Sequence, residues 1–469
     1  MMPLTRPEIA AAMGATIHTG ASGAAFTAVS TDTRKLTAGA LFFALAGANH
    51  DAHDHLGAAL SAGAGGLVIS RASALPADLA PSVFVALVAD TQAALTALAR
   101  AVRARTRVPV VCVTGSVGKT TMKDMIAAAL SARGTVGRTP GNWNNEIGAP
   151  LSILALRGDE DYVVFELGMS APGEIDRLTQ LTQPEIGVIT AAAAAHLEFF
   201  ADVDAIADAK AELWEAMPAG ARAITCADDA RLVARARRLR PDGLLTYGLA
   251  TDADFRVTEV SQTQTGTTAS ITHKGETVSV SLRVLGAHNA VNAAGALAVA
   301  ATLGLDLAAA ASALSERFAP APHRMAIRRA ATGLTVLDDC YNANPASTMA
   351  ALAALGDVAK SAARRGAVIG SMLELGETSD ALHRAVGEAA AHARVDWLAA
   401  TGPYAESLLA GARAAGLTDL IAAADAPDLI DAVRAFAAPD RWLLLKGSRG
   451  QRLERLLAPL GVAGEEAHA

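Results

Sequence analysis

Short apolar runs recur along the chain, each followed by a helical or glycine-rich stretch. In the first hundred residues the runs are GALFFALAG, GLVIS and SVFVALV, with the helical pattern AHDHLGAALSAGA after the first. An Ala-rich helix is predicted over about 91–106, ending at TRVPV. From Val110 the runs become denser: VVCVTG, DYVVFELG, EIGVIT and ARAITCA. Continuous apolar runs separated by helices predict a parallel sheet covered on both faces. Residues 253–283 switch to period-two alternation with turn residues between, which predicts a small antiparallel appendage within the middle domain. Four further runs follow Met325: LTVLDDCYN, GAVIGSM, DWLAATG and RWLLLKGS. They predict another α/β domain.

Prolines mark the joints. Pro109 follows the Ala-rich helix, and Pro320 and Pro322 interrupt RFAPAPHRM after another. Proline disfavours helix in the residue before it, so cuts near 108 and 319 are expected. The predicted organisation is α/β in three domains, 1–108, 109–319 and 320–469, with a central doubly wound, mostly parallel sheet. A length of 469 residues suits about three domains.

Composition narrows the class. Apolar residues reach 52% while aromatics are only 4%, which fits a helix-rich α/β chain. A net charge of −7, with no block of like charges, disfavours a nucleic-acid binder. The three cysteines, Cys112, Cys226 and Cys340, are far apart and suggest neither a disulfide framework nor a zinc ribbon. The N-terminus lacks the apolar run of a signal peptide, and Thr5 and Glu8 have capping-box spacing instead. The longest uncharged stretch, Val284–Leu305, carries His288, Asn289 and Asn292 and is expected to be a buried helix rather than a membrane span. A cytoplasmic protein is expected.

Candidate chemistry begins at VTGSVGKTT, residues 113–121. The common phosphate-loop pattern wants a glycine at 113, where this chain has valine, but Gly115 and Gly118 still supply a sharp turn. The turn lies between a buried strand and the helix TMKDMIAAALSA, where free N–H groups and the helix dipole favour an anion. Lys119 would reach terminal phosphates and the Thr120 hydroxyl would ligate Mg²⁺. Glu166 and His196 follow two other strands, so they and Thr120 are candidates for one metal, against a reading of both as structural. Asn142, Asn144 and Asn145 around Trp143 read equally as a turn-rich loop or an amide-lined site. Lys210, in DVDAIADAKAELWEAM, reads by pattern as a solvated helix lysine. Asp338, Asp339, Tyr341, Asn342 and Asn344 crowd a strand-end loop polar enough to suggest function.

Together these motifs resemble the Mur ligases, ATP-dependent amide-forming enzymes, over nearly the whole chain. TGSVGKTT matches that family's own phosphate loop, T-G-[ST]-x-G-K-T-[TS]. GNWNNEIG, FELGMSAPGEI, AHLE, HNAVNA, DDCYNANP, MLELG and KGSRG are similar to the branch that adds D-alanyl-D-alanine. STDTRKLTAGALFFALAG is similar to the family's uridine-nucleotide-binding domain, and the last domain is then expected to be Rossmann-like. The resemblance implies ATP held by Lys119 and the backbone of Gly115, Ser116, Val117, Gly118, Thr120 and Thr121. It implies two Mg²⁺ ions at Thr120, Glu166, His196 and Lys210, the last carbamylated. His288, Asn289 and Asn292 would lie at the nucleotide, Arg324, Asp338 and Tyr341 would close over it, and Asn344 would help receive the dipeptide. Ser30, Thr31 and Arg34 would hold the uridine diphosphate, and Asn142, Asn144 and Asn145 would face substrate.

The implied substrates are UDP-MurNAc-tripeptide and D-Ala-D-Ala, joined through an acyl phosphate by a cytoplasmic monomer. The chain departs from the family at Phe199, Ser371 and His323, where glycine, aspartate and glycine are expected, and in DAHD at 51–54. A folate-extending or tripeptide-forming ligase is the related alternative, but no DNPR-type motif is found. A nucleotide switch would call for an N-K-x-D motif, which is absent, and a dead scaffold would not keep Lys119, Thr120 and Glu166.

Overall fold

The computed structural model describes residues 2–47, 50–194 and 197–462. Its strands form three sheets. The first contains β1 (Thr16–Thr19), β2 (Val29–Ser30), β3 (Leu41–Phe43), β4 (Gly66–Ile69) and β5 (Phe84–Leu87), in the order β1-β5-β4-β3-β2. β1 pairs antiparallel with β5 and the other neighbours are parallel. The three fully buried or nearly buried strands are the ones whose apolar runs announce them. β1 and β2 are edge strands, half exposed, and TIHT carries no such run.

The second sheet contains β6 (Val110–Thr114), β7 (Val136–Arg138), β8 (Tyr162–Glu166), β9 (Ile186–Ile189), β10 (Arg222–Cys226), β11 (Leu244–Gly248), β12 (Phe255–Thr263), β13 (Gly266–His273) and β14 (Glu276–Leu282). Their order is β14-β13-β12-β11-β10-β9-β6-β8-β7. Every residue of β6, β8 and β9 is buried, as expected where helices cover both faces. The antiparallel β12, β13 and β14 are not an appendage: Tyr247 of β11 pairs in parallel with Phe255 of β12, so they extend the same sheet. Period-two alternation reports one exposed face and says nothing about which edge a strand joins.

The third sheet contains β15 (Ala326–Arg329), β16 (Thr335–Asp338), β17 (Arg364–Gly370), β18 (Trp397–Thr401), β19 (Leu420–Ala423) and β20 (Arg441–Lys446), ordered β15-β16-β20-β17-β18-β19. β15 pairs antiparallel with β16, and the pairings of β16 with β20, β20 with β17, β17 with β18 and β18 with β19 are parallel. β15 and β19 are the two strands that the apolar pattern does not predict. Both are edges with partly exposed side chains, where polar residues are tolerated.

The chain divides into two compact units. One comprises Met1–Val113, Gly134–Gly187 and Glu215–Ala221, and the other Thr114–Arg133, Val188–Trp214 and Arg222–Ala469. In the first unit, Arg103 is buried and satisfied by backbone: Nε donates to the Thr182 carbonyl (2.5 Å), Nη1 to Thr106 (3.0 Å) and Nη2 to Gln183 (2.8 Å). Thr5 and Glu8 make the expected capping box at the helix Arg6–Met13. In the second unit, the uncharged stretch forms the helix Ala287–Thr302, buried along most of its length. Gly295 permits its close approach to Met122 and the Tyr247 ring, where an added Cβ would collide. The helix lies against Lys119–Leu130 and so fixes the element that carries the phosphate loop. Among the described residues no helix is long and apolar enough to cross a membrane.

Candidate active site

The phosphate loop is built by a short set of contacts in the second unit. β6 delivers the chain to Thr114, and the helix Lys119–Leu130 begins directly after Gly118. Gly118 takes φ 80° as the N-cap, and no side chain caps the helix start. Its first-turn N–H groups are therefore uncovered by any capping side chain, the arrangement that receives anionic oxygens. Gly115 has φ 149°, and a Cβ there would fall on Thr190 Oγ1. That hydroxyl donates to the carbonyls of Val117 (2.5 Å) and Thr114 (3.3 Å) and clamps the loop from beneath. Ser116 is held to the neighbouring segment as well. Its N–H donates to Ala191 O (2.8 Å), and its hydroxyl donates to Ala193 O (3.1 Å) and accepts from Ala193 N–H (3.0 Å). The shifted first glycine is thus a functioning turn, because Val113 stays a buried strand residue.

Lys119 folds back so that Nζ donates to the Gly115 carbonyl at 2.7 Å, across the mouth of the loop. Thr120 is buried at the first helical turn and Thr121 is half-buried. Asn292 stands beside Gly118 and donates weakly to Asn289 Oδ1 (3.4 Å), and Asn289 Nδ2 donates to Leu285 O (2.7 Å). The structure therefore brings Asn289 and Asn292 to the same loop as Lys119. Lys210, on the helix Val203–Ala216, is only 2% exposed. It is no solvated helix lysine. Burial, and then the charge of Lys119, push its amine well below the usual lysine range. An amphipathic pattern could not reveal this, since the burial of one lysine depends on what packs against that face of the helix.

In the first unit, Glu166 ends β8, is 2% exposed, and accepts from Asn144 Nδ2 at 2.7 Å. Its backbone N–H donates to Thr139 Oγ1 (3.0 Å). Gly168 admits Asn144 at the next turn and donates to its carbonyl (2.8 Å). Asn144 is thereby a partner of Glu166. Asn145 instead accepts from Gly148 N–H (2.8 Å) at the start of the helix Gly148–Leu154, and Asn142 is exposed. Ser30, Thr31 and Arg34 lie around a small turn organised by Asp32. Ser30 Oγ donates to Asp32 O (3.0 Å), and the exposed Arg34 pairs with the Asp32 carboxylate (2.8 Å). His196 lies outside the described residues.

The third-sheet residues form one network in the second unit. Asp338, ending β16, is fully buried and accepts from His323 Nδ1 (2.8 Å), Arg328 Nε (3.2 Å) and Cys340 Sγ (2.9 Å). It supports the loop from inside and presents no surface to a ligand. Asp339 pairs with the buried Lys446 (2.5 Å) and accepts from Met325 N–H (3.1 Å). The Arg324 guanidinium lies 4.2 Å over the Tyr341 ring, and Arg449 approaches the same ring at 5.8 Å. Asn344 caps the helix Pro345–Val358, accepting from Ser347 N–H (2.9 Å). Thr190 and Lys446 escape the sequence reading. Thr190 directly follows the buried β9 and Lys446 ends β20, and that position at a strand end was the available signal.

Two departures from the family pattern have clear settings. Ser371 is buried, donates to Thr401 O (3.0 Å) and accepts from Tyr404 N–H (3.0 Å). Phe199 is 52% exposed.

Comparison with known proteins agrees with this geometry. The Mur ligase middle domain matches residues 113–300, and the Mur ligase glutamate ligase domain matches 323–449. The UDP-N-acetylmuramoyl-tripeptide--D-alanyl-D-alanine ligase of Escherichia coli (strain K12) is 37% identical over 441 residues, 92% of this chain and 93% of its own. The protein of the same name from Bacillus subtilis (strain 168) is 34% identical, over 92% of each chain. Among solved structures, a crystal structure of MurF from Acinetobacter baumannii superposes with a TM-score of 0.86 at 28% identity, covering 98% of this chain and 99% of that one. MurF from Thermotoga maritima in complex with ADP gives 0.79 at 28% identity, over 92% and 97%. Identity of this level along most of the length, joined to the two matched domains, places the chain: it belongs to the Mur ligase family.

Proposed function

We propose that this protein joins D-alanyl-D-alanine to UDP-MurNAc-tripeptide, an ATP-dependent step of peptidoglycan precursor synthesis. The observation that carries the reading is the phosphate loop with Lys119 and buried Lys210, inside a chain matched over 92% of its length by ligases of that name. In the first step a carboxylate oxygen of the tripeptide attacks the γ-phosphorus of ATP. The bond to the β,γ-bridging oxygen breaks, leaving ADP and an acyl phosphate. The amine of D-Ala-D-Ala then attacks the acyl carbon, loses a proton, and expels phosphate as the amide forms.

Two anions must meet in the first step, so positioning and countercharge are the main demands. Lys119 and the uncapped helix start would supply donors to the phosphates. Asn289 and Asn292 would line the nucleotide, and Arg324 with Tyr341 would cover it. Ser30, Thr31 and Arg34 would hold the uridine diphosphate end, while Asn142 and Asn144 would face the tripeptide. On this reading residues 1–108 serve the uridine nucleotide, 109–319 hold ATP, and 320–469 complete the site. The enzyme would act as a cytoplasmic monomer.

Mg²⁺ fits the residues available. The Thr120 hydroxyl and the Glu166 carboxylate, with His196, offer mainly the hard oxygen donors that this ion prefers, and both described groups are buried. When bound, the metal would neutralise phosphate charge. Lys210 fits a carbamate for a separate reason: burial, and then the Lys119 charge, push its pKa well below the usual lysine range, which favours the neutral amine that a carbamate needs. Its nitrogen can add to the carbon of CO₂ and release a proton, which gives an anion next to Lys119.

Phosphate release by the purified protein with ATP, Mg²⁺ and UDP-MurNAc-tripeptide should depend on D-Ala-D-Ala, with the new amide detected by mass spectrometry. Release that ignores the dipeptide, without a new amide, contradicts the reading. Gly115→Ala, which pushes Thr190 out of place, should weaken ADP binding at least about tenfold by calorimetry; unchanged affinity would show that the loop is not the nucleotide site. Lys210→Ala should lose at least about a hundredfold in turnover, with partial rescue by short-chain carboxylates. Wild-type turnover of that variant refutes the carbamate.

A further inference from the structure

The family's glycine is replaced here by His323, and the structure gives that residue φ 60°. Met325 has φ 49°, so Arg324 lies between two non-glycine residues in the left-handed region. Such backbone is unfavourable for ordinary side chains and persists where its surroundings over-determine it. Here the surroundings are explicit. Tyr341 N–H donates to the His323 carbonyl (3.1 Å), and Met325 N–H donates to Asp339 Oδ1 (3.1 Å). The His323 ring completes the set by bonding Asp338 through Nδ1, 2.8 Å from Oδ2 and 3.1 Å from Oδ1. The turn so held places Arg324 over Tyr341.

His323, Asp338 and Cys340 are also close enough together for a metal ion. Charge argues against it. Arg328 already stands 3.2 Å from Asp338 Oδ2, and burial, then the nearby Asp338 charge, push the Cys340 thiol far up, so it stays protonated.

We propose that His323 is a positioning residue for the nucleotide: its ring, bonded to Asp338, holds the turn 323–325 that glycine would hold by conformational freedom, and so keeps Arg324 and Tyr341 stacked for ATP. The proposal rests on the reading of Arg324 and Tyr341 as nucleotide contacts. It also makes nucleotide affinity depend on pH. The groups facing the imidazole are Asp338 at the end of β16, Cys340 just beyond it, Arg328 on β15 and Glu454. The hydrogen bond to Asp338 raises the imidazole pKa, burial opposes it, the charges of Asp338 and Glu454 add to it, and Arg328 lowers it. With the folded value above the unfolded one, the charged pair contributes fully below about pH 6.5. That contribution is lost as pH rises through the raised value.

The test is ADP affinity by calorimetry from pH 6 to 9, each variant expressed as a ratio to wild type so that the titration of ADP itself cancels. His323→Ala should bind ADP about tenfold more weakly at pH 6, and the ratio should shrink towards pH 9. His323→Asn tolerates the left-handed backbone and can donate to Asp338, so it should bind within about threefold of wild type at pH 6 and tighter than wild type at pH 9. His323→Gly keeps the experiment readable if the alanine variant does not fold, and should fall between the two. Wild-type affinity in all three, or a ratio that does not change with pH, overturns the proposal. Arg324→Ala separates the two layers. If it leaves ADP affinity unchanged, the contact assignment beneath the proposal fails; if it weakens ADP while the His323 variants do not, the positioning role alone fails.

Discussion

The missing Cβ of Gly115 is the constraint on which the phosphate loop rests. It lets Thr190 Oγ1 reach under the loop and bond two of its carbonyls. With those carbonyls turned down, the chain can enter the helix at Lys119 through the left-handed Gly118, its first N–H groups directed outward. The common form of the motif places its first glycine two residues earlier. Here that position is a buried strand valine, and the turn is made closer to the helix. The same chemistry, N–H groups converging on oxygen, is reached with a shorter loop.

Electrostatics then sets what else the site requires. Lys119 and Lys210 lie close enough that each opposes the other's charge, and Lys210 is buried besides. A buried ammonium group beside the half-buried Lys119 would be costly, so the structure favours a neutral Lys210. The third-sheet network solves the opposite problem. The buried Asp338 carboxylate is met by His323, Arg328 and Cys340, and Asp339 by Lys446. Neither aspartate is left as an unpaired buried charge, and both tie down the start of the loop that carries Tyr341.

Much of this was legible in the sequence, for physical reasons. Strands buried on both faces, such as β6, β8 and β9, are apolar up to their last residue and announce themselves. β1, β2, β15 and β19 are short edges with one side in water, so their sequences carry no such run. The phosphate loop was visible because glycine, lysine and threonine spacing reflects backbone geometry directly. The burial of Lys210 was not, since it depends on what packs against its helix. The asparagines divided in a way that spacing cannot foresee: Asn144 meets Glu166, Asn145 closes the turn before a helix, and Asn344 caps one. Substitution of His for Gly at 323 looked like a loss of motif, and only its φ and its bond to Asp338 reveal what replaced glycine.

The central claim is that the chain activates a carboxylate as an acyl phosphate before forming an amide. Labelling the terminal carboxylate of UDP-MurNAc-tripeptide with ¹⁸O and following the label tests it most directly. The leaving phosphate must carry away one carboxylate oxygen, so one labelled oxygen should appear in each phosphate released with amide formation. Phosphate free of label, or label recovered in AMP, would contradict the account.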